Sequence, residues 1–209
     1  MQSHRTLSLG YLAGLLAPFW LVLGVTLAGA LYPGYNHLDQ AMSLLGAEGA
    51  PTQFISPLIN NYPLGALFMM FGVAVLLSFD SLCSRLSGLL IMIHGLGSFA
   101  TGFFSCDVGC ALEAPSTSQT LHNLAGLIMA LSLLLASALW VFLGRRVLGS
   151  RGFALFSLLC TLGALGSLPL MAVALENGQG FGLYQRLNYG ISLLWLAGLA
   201  LMLLRRFRA

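Results

Sequence analysis

The sequence predicts an all-α integral membrane protein, built as one bundle of six transmembrane helices. Composition is the first reason, because 58% of the 209 residues are hydrophobic and only 7% are charged. Soluble domains carry roughly a quarter charged residues, so this chain has too few to cover a water-facing surface. The recurrence of long apolar stretches along the chain is the second reason, and the placement of the arginines is the third.

Six stretches are apolar enough and long enough to cross a bilayer. They cover residues 8–31, 62–79, 86–105, 120–143, 153–175 and 188–204. Each is close to the ~20 residues that a transmembrane helix needs. The longest connection, residues 32–61, is too short for a separate soluble domain, so residues 1–209 are predicted to form a single transmembrane domain. Small residues such as Gly88 and Gly95 in the third stretch are typical of membrane helices that pack closely.

The arginines predict how the bundle is oriented. The chain has no lysine, and nine arginines supply all of its basic charge. With six spans, eight of them lie on one face of the membrane: Arg5, Arg85, Arg145, Arg146, Arg151, Arg205, Arg206 and Arg208. The positive-inside rule then places both termini in the cytoplasm of a cell with an inner membrane, and the other face toward the periplasm. Membrane lipids are the expected partners, nucleic acid is not, and the oligomeric state is left open.

The segment after the first span predicts a short amphipathic helix on the outer surface. Asn36 followed three residues later by Asp39 is typical of an N-cap with an acid in the first helical turn. Leu38, Met42 and Leu45 recur at the spacing of one helical face. The glycines that follow are predicted to end this helix.

Cys106 and Cys110 bracket Asp107 at the outer end of the third span, in the sequence CDVGC. An oxidising outer compartment favours a disulfide between the two cysteines. A reactive dithiol is one alternative, although redox pairs usually have two intervening residues and this pair has three. A zinc site is the other, with Asp107 and His122 as further ligands. Neither alternative is strong enough to predict a metal or a cofactor.

Three outer polar residues are the candidates for a functional site. Asp107 and His122 lie 15 residues apart across one predicted hairpin. A carboxylate beside a histidine fixes its tautomer, so these two are the candidate catalytic pair for acid–base chemistry. Arg186 is the only outer arginine, which an anionic ligand or a buried acid would explain. The acids within reach are Asp39, Asp107 and Glu176. The structural alternatives are a histidine bonded to loop carbonyls, a solvated aspartate and a surface arginine.

Two other polar positions have a structural explanation as the simpler one, although a midplane histidine is also a functional candidate and the role of His94 is left open. His94 lies 13 residues before Asp107 on the third helix, hence roughly 20 Å deeper at 1.5 Å per residue, so the two do not share a site. A single mid-membrane histidine predicts a neutral side chain bonded across helices, and a bis-histidine haem is not expected. Ser116 followed three residues later by Gln119 predicts a capping box at the start of the fourth helix.

Four segments also carry a family resemblance. They are YPGYNHLDQAMSLLGAEGAP after the first span, FSCDVGC after the third, LHNLAG at the start of the fourth and GLYQR before the sixth. In this order they resemble a family of bacterial and archaeal membrane proteins known only as domain of unknown function 998. The resemblance covers most of the chain and implies a six-span membrane protein with no known activity. It points to seven outer positions: Asn36, Ser43, Cys106, Asp107, Cys110, His122 and Arg186.

These features predict a periplasm-facing polar site that binds a small anionic ligand or a lipid headgroup, with or without catalysis. Asp107 and His122 are its catalytic candidates, and Arg186, Asn36 and Ser43 its candidate ligand-binding residues. The alternative is a non-enzymatic sensor, scaffold or transport-associated protein whose outer polar cluster only ties the loops together. Whether the chain is an enzyme is left open.

Overall fold

The chain folds into six long helices. The structure, a computed structural model, describes residues 2–111 and 113–208, and the side chains of residues 6–111 and 113–207. The helices are α1 Gln2–Ala30, α2 Tyr62–Ser78, α3 Leu82–Phe103, α4 Thr117–Arg146, α5 Arg151–Asn177 and α6 Phe181–Arg208. Six segments are long and apolar enough to cross a membrane, and no strand occurs among the described residues. The predicted all-α, six-helix architecture is confirmed.

The helices form a closed ring in chain order. Each helix packs against its neighbours in sequence, α6 returns to pack against α1, and α4 makes a smaller contact with α6. An even number of helices brings both termini to one end of the bundle, the terminal end. The opposite end, which we call the distal end, is formed by residues 31–56, 104–116 and 178–180.

Close helix packing accounts for the glycines of α3. A Cβ atom placed on Gly88 would lie 2.6 Å from the backbone nitrogen of Leu76, and one on Gly95 would lie 2.9 Å from the carbonyl oxygen of Gly65. Any side chain at these positions would push α2 and α3 apart, so glycine is what allows their contact.

The terminal half of the ring is densely filled. Trp140 and Trp195 are fully buried there, and their indole N–H groups donate to the hydroxyls of Ser87 and Ser157 at 2.9 and 3.1 Å. No water is available in the hydrocarbon region, so each buried donor needs such a partner within the protein. Both tryptophans are therefore held inside the terminal half with their donors satisfied.

The outer segment after α1 is less helical than predicted. Only Met42–Gly46 is helical, as a five-residue 3-10 helix. Before it, the Asn36 side chain accepts a hydrogen bond from the backbone N–H of Leu38, and the Gln40 side chain accepts one from the N–H of Asn36. Side-chain bonds of this kind stabilise a turn in place of a helix. Leu45 is nevertheless buried and Leu38 exposed, so the apolar pattern predicts only part of the burial.

Candidate functional site

A cavity of about 330 Å³ lies inside the ring in its distal half. All six helices contribute to its wall, and the 3-10 helix Met42–Gly46 covers its distal end. Its polar lining side chains are Ser43, Ser56, Asn60, Asn61, His94, Ser98, Thr101, His122, Gln185, Asn188, Tyr189 and Ser192. None of the described lining residues carries a formal charge, apart from what the two histidines acquire on protonation. The cavity is therefore electrically neutral, and apolar groups supply most of the surface between its polar side chains.

Helical spacing brings the polar side chains of α3 and α6 to the cavity. His94, Ser98 and Thr101 lie at i, i+4 and i+7 of α3. Positions with this spacing share one face of a helix. The lining residues of α6, from Gln185 to Ser192, have the same period. Polar residues inside membrane spans face the protein interior, so these two stripes are the sequence signal that would have located the cavity.

The start of the second span also widens the polar lining. Residues Pro57–Asn61 form one turn of π-helix before α2. Such turns carry an extra residue per turn and are frequent at functional sites. This turn presents both Asn60 and Asn61 to the cavity, and the buried Oδ1 of Asn60 has no hydrogen-bond partner among the described residues.

His94 and Tyr189 form a hydrogen-bonded pair on the cavity wall. Nδ1 of His94 donates to the carbonyl oxygen of Met129 at 2.9 Å, because a carbonyl can only accept. In the neutral ring Nε2 then accepts the hydroxyl hydrogen of Tyr189, also at 2.9 Å. The ring of this buried imidazole packs nearly perpendicular to the ring of Phe68, with the ring centres 4.5 Å apart. His94 thus has the cross-helix bonding that the sequence predicts for a neutral midplane histidine.

His122 also lines the cavity, nearer its distal end. Its Nδ1 donates to the carbonyl oxygen of Phe104 at 2.7 Å, which places the proton on that nitrogen. The remaining nitrogen, Nε2, makes no hydrogen bond to any described residue. It offers a free lone pair that can accept a hydrogen bond from a ligand hydroxyl.

Asp107 caps a helix and is not among the residues that line the cavity. Its two carboxylate oxygens accept from the backbone N–H and the hydroxyl of Ser116, at 2.8 and 2.5 Å. These bonds favour the charged form and hold the pKa of the Asp107 carboxyl below its ordinary value of 3.8. No hydrogen bond joins Asp107 to His122.

The predicted capping box of α4 is formed in a modified way. Ser116 accepts from the backbone N–H of Gln119 at 3.1 Å, as predicted. In a capping box the second residue would accept in return from the backbone N–H of Ser116. Here Asp107 accepts from that N–H, and Gln119 does not. The Gln119 side chain instead accepts from the N–H of Asp107 at 2.8 Å and donates to the carbonyl of Ala111. Two side chains therefore lock the turn between α3 and α4.

Arg186 ties the first outer loop to α6. Its Nη1 donates to the carbonyl oxygens of Gln40 and Gly182, at 3.0 and 2.9 Å. Its Nη2 donates to the hydroxyl of Tyr35 at 2.6 Å and lies 3.3 Å from Nδ1 of His37. Burial, and then the nearby guanidinium, lower the pKa of His37. None of these partners is the acid that the sequence led us to expect.

The acids and amides of this loop are paired elsewhere. Asp39 accepts from the N–H of Gly180 at 2.8 Å and from the Asn36 side chain at 2.6 Å. Asn36 is thereby used in the loop and is not among the cavity-lining residues. Of the candidate ligand-binding residues, only Ser43 lines the cavity.

Cys106 and Cys110 lie at disulfide-bonding distance and form the staple favoured from sequence. Cys106 Sγ lies 3.6 Å from the Ser43 carbonyl oxygen, and Ser43 Oγ donates to Cys110 Sγ at 3.7 Å. The N–H of Glu48 donates to the carbonyl of Cys106 at 2.8 Å. The disulfide thus holds the segment that covers the cavity. Within the described chain, no cluster of three or more His, Cys, Asp or Glu side chains has the proximity of a metal site.

The fold and the cavity together define a polytopic α-helical membrane protein with an uncharged cavity of mixed polar and apolar lining inside its distal half. The family model described as "Protein of unknown function (DUF998)" matches residues 15–202, so the chain belongs to this family. The resemblance seen in the four segments is confirmed. No curated protein and no solved structure matches the chain significantly.

Proposed function

We propose that this protein spans a cell inner membrane with both termini in the cytoplasm, and that its distal cavity binds a small uncharged molecule or lipid headgroup. The neutral polar lining is the single observation that carries the binding proposal. A volume of about 330 Å³ is at the small end of ligand sites, which run from roughly 300 Å³ upward. The distribution of the arginines supports the orientation.

An uncharged ligand fits this lining better than the anion expected from Arg186. An ion taken into an apolar bundle needs a countercharge or several strong hydrogen bonds. The Arg186 guanidinium already donates to the Gln40 carbonyl and the Tyr35 hydroxyl of the first outer loop, and it is not part of the lining. Hydroxyl and carbonyl groups, by contrast, match the free Nε2 of His122 and the amide of Asn60.

Binding is better supported than acid–base catalysis. Of the candidate catalytic pair, only His122 reaches the cavity, whereas the carboxylate of Asp107 is occupied at the start of α4. The ties made by Arg186 and Asp107 support the structural role of the outer polar cluster. Such ties are compatible with a binding protein, because they hold the cavity wall and its cover in place.

Thermal unfolding with a neutral and an anionic probe tests the proposal. The full chain in phosphatidylcholine nanodiscs is heated with 1-monooctanoylglycerol, or with octanoate as the anionic counterpart. We expect monooctanoylglycerol to raise the melting temperature, because a ligand that binds only the folded state stabilises it by mass action. Octanoate is expected to have little effect.

Two glycines supply a matched pair of variants. A side chain at Gly126 or at Gly166 would meet open space, but only Gly126 lines the cavity. Gly126→Leu is therefore expected to abolish the shift with monooctanoylglycerol, whereas Gly166→Leu keeps it. Stabilisation by octanoate alone, or an equal shift in both variants, contradicts the proposal.

A further inference from the structure

The helices α4 and α5 are packed together in the terminal half of the bundle. The hydroxyls of Ser137 and Thr161 lie 2.8 Å apart between them. Nearer the terminal end, a Cβ on Gly144 would lie 2.8 Å from the backbone nitrogen of Ala154. These contacts identify the stripe of each helix that faces the other.

Both stripes become exposed in the distal half. Residues seven apart lie on nearly the same side of a helix. On α5, Ala154 and Thr161 are 6% and 8% exposed, whereas Leu168 and Leu175, on the same stripe, are 43% and 50% exposed. On α4, Gly144 and Ser137 are buried, whereas Ala130 and Asn123 are exposed. The same faces that touch in one half are thus uncovered in the other.

The distal halves remain packed on their other neighbours. Asn188 of α6 donates to the Ala164 carbonyl and the Ser167 hydroxyl of α5, each at 2.8 Å. On α4, Ala125 stays buried on the side that meets α3. The seam that opens in this half is the one between α4 and α5. Pro169 lies within the opened half of α5, and a proline there removes a backbone hydrogen bond and bends a helix.

This opening is continuous with the cavity. Ala130 is exposed and also lines the cavity, and Met171 of α5 lines it from the other side of the seam. The distal cover, by contrast, is closed by several bonds, including that from the N–H of Met42 to the Gln185 side chain at 2.8 Å. The seam lies within the membrane spans, where the surrounding medium is lipid hydrocarbon.

We propose that the distal seam between α4 and α5, the α4–α5 cleft, is a lateral entrance that holds the acyl chain of an uncharged glycerolipid. The cleft is bordered by Asn123, Ala130, Leu168 and Leu175. The chain lies in the cleft and extends into the bilayer, while the glycerol headgroup occupies the cavity. This inference rests on the proposed function and adds that the ligand comes from the membrane and not from water.

Photolabelling in nanodiscs tests the cleft. The probe is a 1-monoacylglycerol with a long chain that carries a diazirine at its middle, added to the full chain in phosphatidylcholine nanodiscs. Labelled residues are mapped by mass spectrometry after irradiation. We expect label at Ala130, Leu168, Met171 and Leu175, and competition by unlabelled monoacylglycerol but not by free glycerol.

Variants on α5 separate the cleft from the cavity. Leu168 is not among the residues that line the cavity, so Leu168→Trp is expected to fill the cleft alone. We expect it to reduce labelling about tenfold, the effect of losing the burial of roughly two methylene groups. Leu170→Trp is the control, because Leu170 is equally exposed but faces another side of α5. Leu175→Trp provides a second blocking variant. The melting shift with monooctanoylglycerol is expected to survive in Leu170→Trp and to shrink in Leu168→Trp and Leu175→Trp. The melting temperature without ligand is expected to stay close to that of the wild type in all three, which shows that they fold.

Each other outcome overturns one of the two proposals. Label spread evenly over the lipid-facing leucines, or unchanged in Leu168→Trp and Leu175→Trp, overturns the cleft while the melting shift still supports the cavity. A dimer that can be crosslinked through α4 and α5 in the absence of the lipid probe would show that a second copy of the chain fills the cleft. That result also overturns the cleft proposal. Absence of any melting shift overturns the proposed function itself.

Discussion

Arg186 departs from the charge distribution of the chain, and hydrogen bonds within the protein hold most of its guanidinium. Its guanidinium donates to two carbonyl oxygens and to the hydroxyl of Tyr35. The central guanidinium carbon, Cζ, also lies 5.8 Å from the centre of the Tyr35 ring. Hydrogen bonds from a charged donor are stronger than neutral ones. An arginine at this position is therefore explained by the loop that it holds.

Replacing Arg186 is expected to destabilise the fold. Arg186→Ala removes three charged hydrogen bonds and leaves the Gln40 carbonyl with only the longer bond from the Tyr35 hydroxyl, which we expect to cost about 3 kcal/mol of unfolding free energy. The control is Arg145→Ala, because Arg145 is exposed and its side chain makes no hydrogen bond to any residue that the structure describes. Denaturant unfolding in micelles measures both. A variant Arg186→Ala of unchanged stability that loses binding of octanoate would restore the ligand-binding role.

Asp107 is expected to make the stability of the folded protein fall at acidic pH. Two bonds from Ser116 lower the pKa of this carboxyl in the folded state, below the ordinary value of 3.8 that applies when unfolded. The stabilisation is therefore complete above that value and is lost as the pH falls through the lower, folded-state pKa. Melting temperatures between about pH 6 and about pH 3 should fall more steeply in the wild type than in Asp107→Asn.

A control and a rival outcome accompany this experiment. Asp80→Asn removes an exposed aspartate at the terminal end for which the structure shows no hydrogen bond, and it should leave the steepness of the acid response unchanged. If Asp107→Asn instead kept the full wild-type stability but removed binding or an activity, Asp107 would be a functional acid and not a helix cap.

At the scale of elements, the connection between α3 and α4 controls the cover of the cavity. The disulfide of this turn contacts Ser43, which belongs to the 3-10 helix Met42–Gly46 and also lines the cavity. Gly109, inside the turn, has a φ of 71°, a conformation in which glycine is unstrained. The short sequence CDVGC thus supplies both the crosslink and the turn that it needs.

Thiol counting checks the crosslink. In the unfolded chain we expect two reactive thiols without reductant, those of Cys83 and Cys160, and four after reduction. Closing so short a loop is expected to stabilise the fold by about 2 kcal/mol in the chain-entropy model. The double variant Cys106→Ser/Cys110→Ser should lose this amount, and Cys83→Ser, at an exposed position, should lose none. Four thiols before reduction would contradict the staple.

At the scale of the whole molecule, the ring is closed at one end and opened at the other. The terminal half is filled by Trp140, Trp195 and the residues packed on them, whereas the distal half contains the cavity and the α4–α5 cleft. Of the arginines that the structure describes, all except Arg186 lie at the terminal end of the bundle. Packing, polarity and charge therefore distinguish the same two ends of the bundle.

Reporter fusions test the proposed orientation. Alkaline phosphatase is active only where its disulfides form, outside the cytoplasm. We expect an active fusion when it follows Gln179 and an inactive one when it follows Arg206, with a fluorescent protein giving the opposite result. An active phosphatase after Arg206 would reverse the orientation and would contradict the positive-inside prediction.

Short sequence patterns predicted those structural features that are formed by residues close together in the chain. The Ser116 cap and the Cys106–Cys110 staple are formed by groups a few positions apart, so spacing was enough to predict them. The outer helix was only partly predicted, because the side chains of Asn36 and Gln40 stabilise a turn where the apolar pattern favours a helix. The roles of Asp107 and Arg186 were harder to predict from the sequence, because their hydrogen-bond partners come from other segments of the chain.

The sequence by itself determined the class of protein, the number of spans and the family, because apolar length, charge placement and short motifs are properties of contiguous residues. Only the tertiary structure decided where the polar site lies. His94, His122 and Tyr189 belong to three different helices, and they line one cavity only because the ring closes between α6 and α1. The cleft depends in the same way on where α5 leaves α4, which is a balance of packing between helices that no single segment encodes.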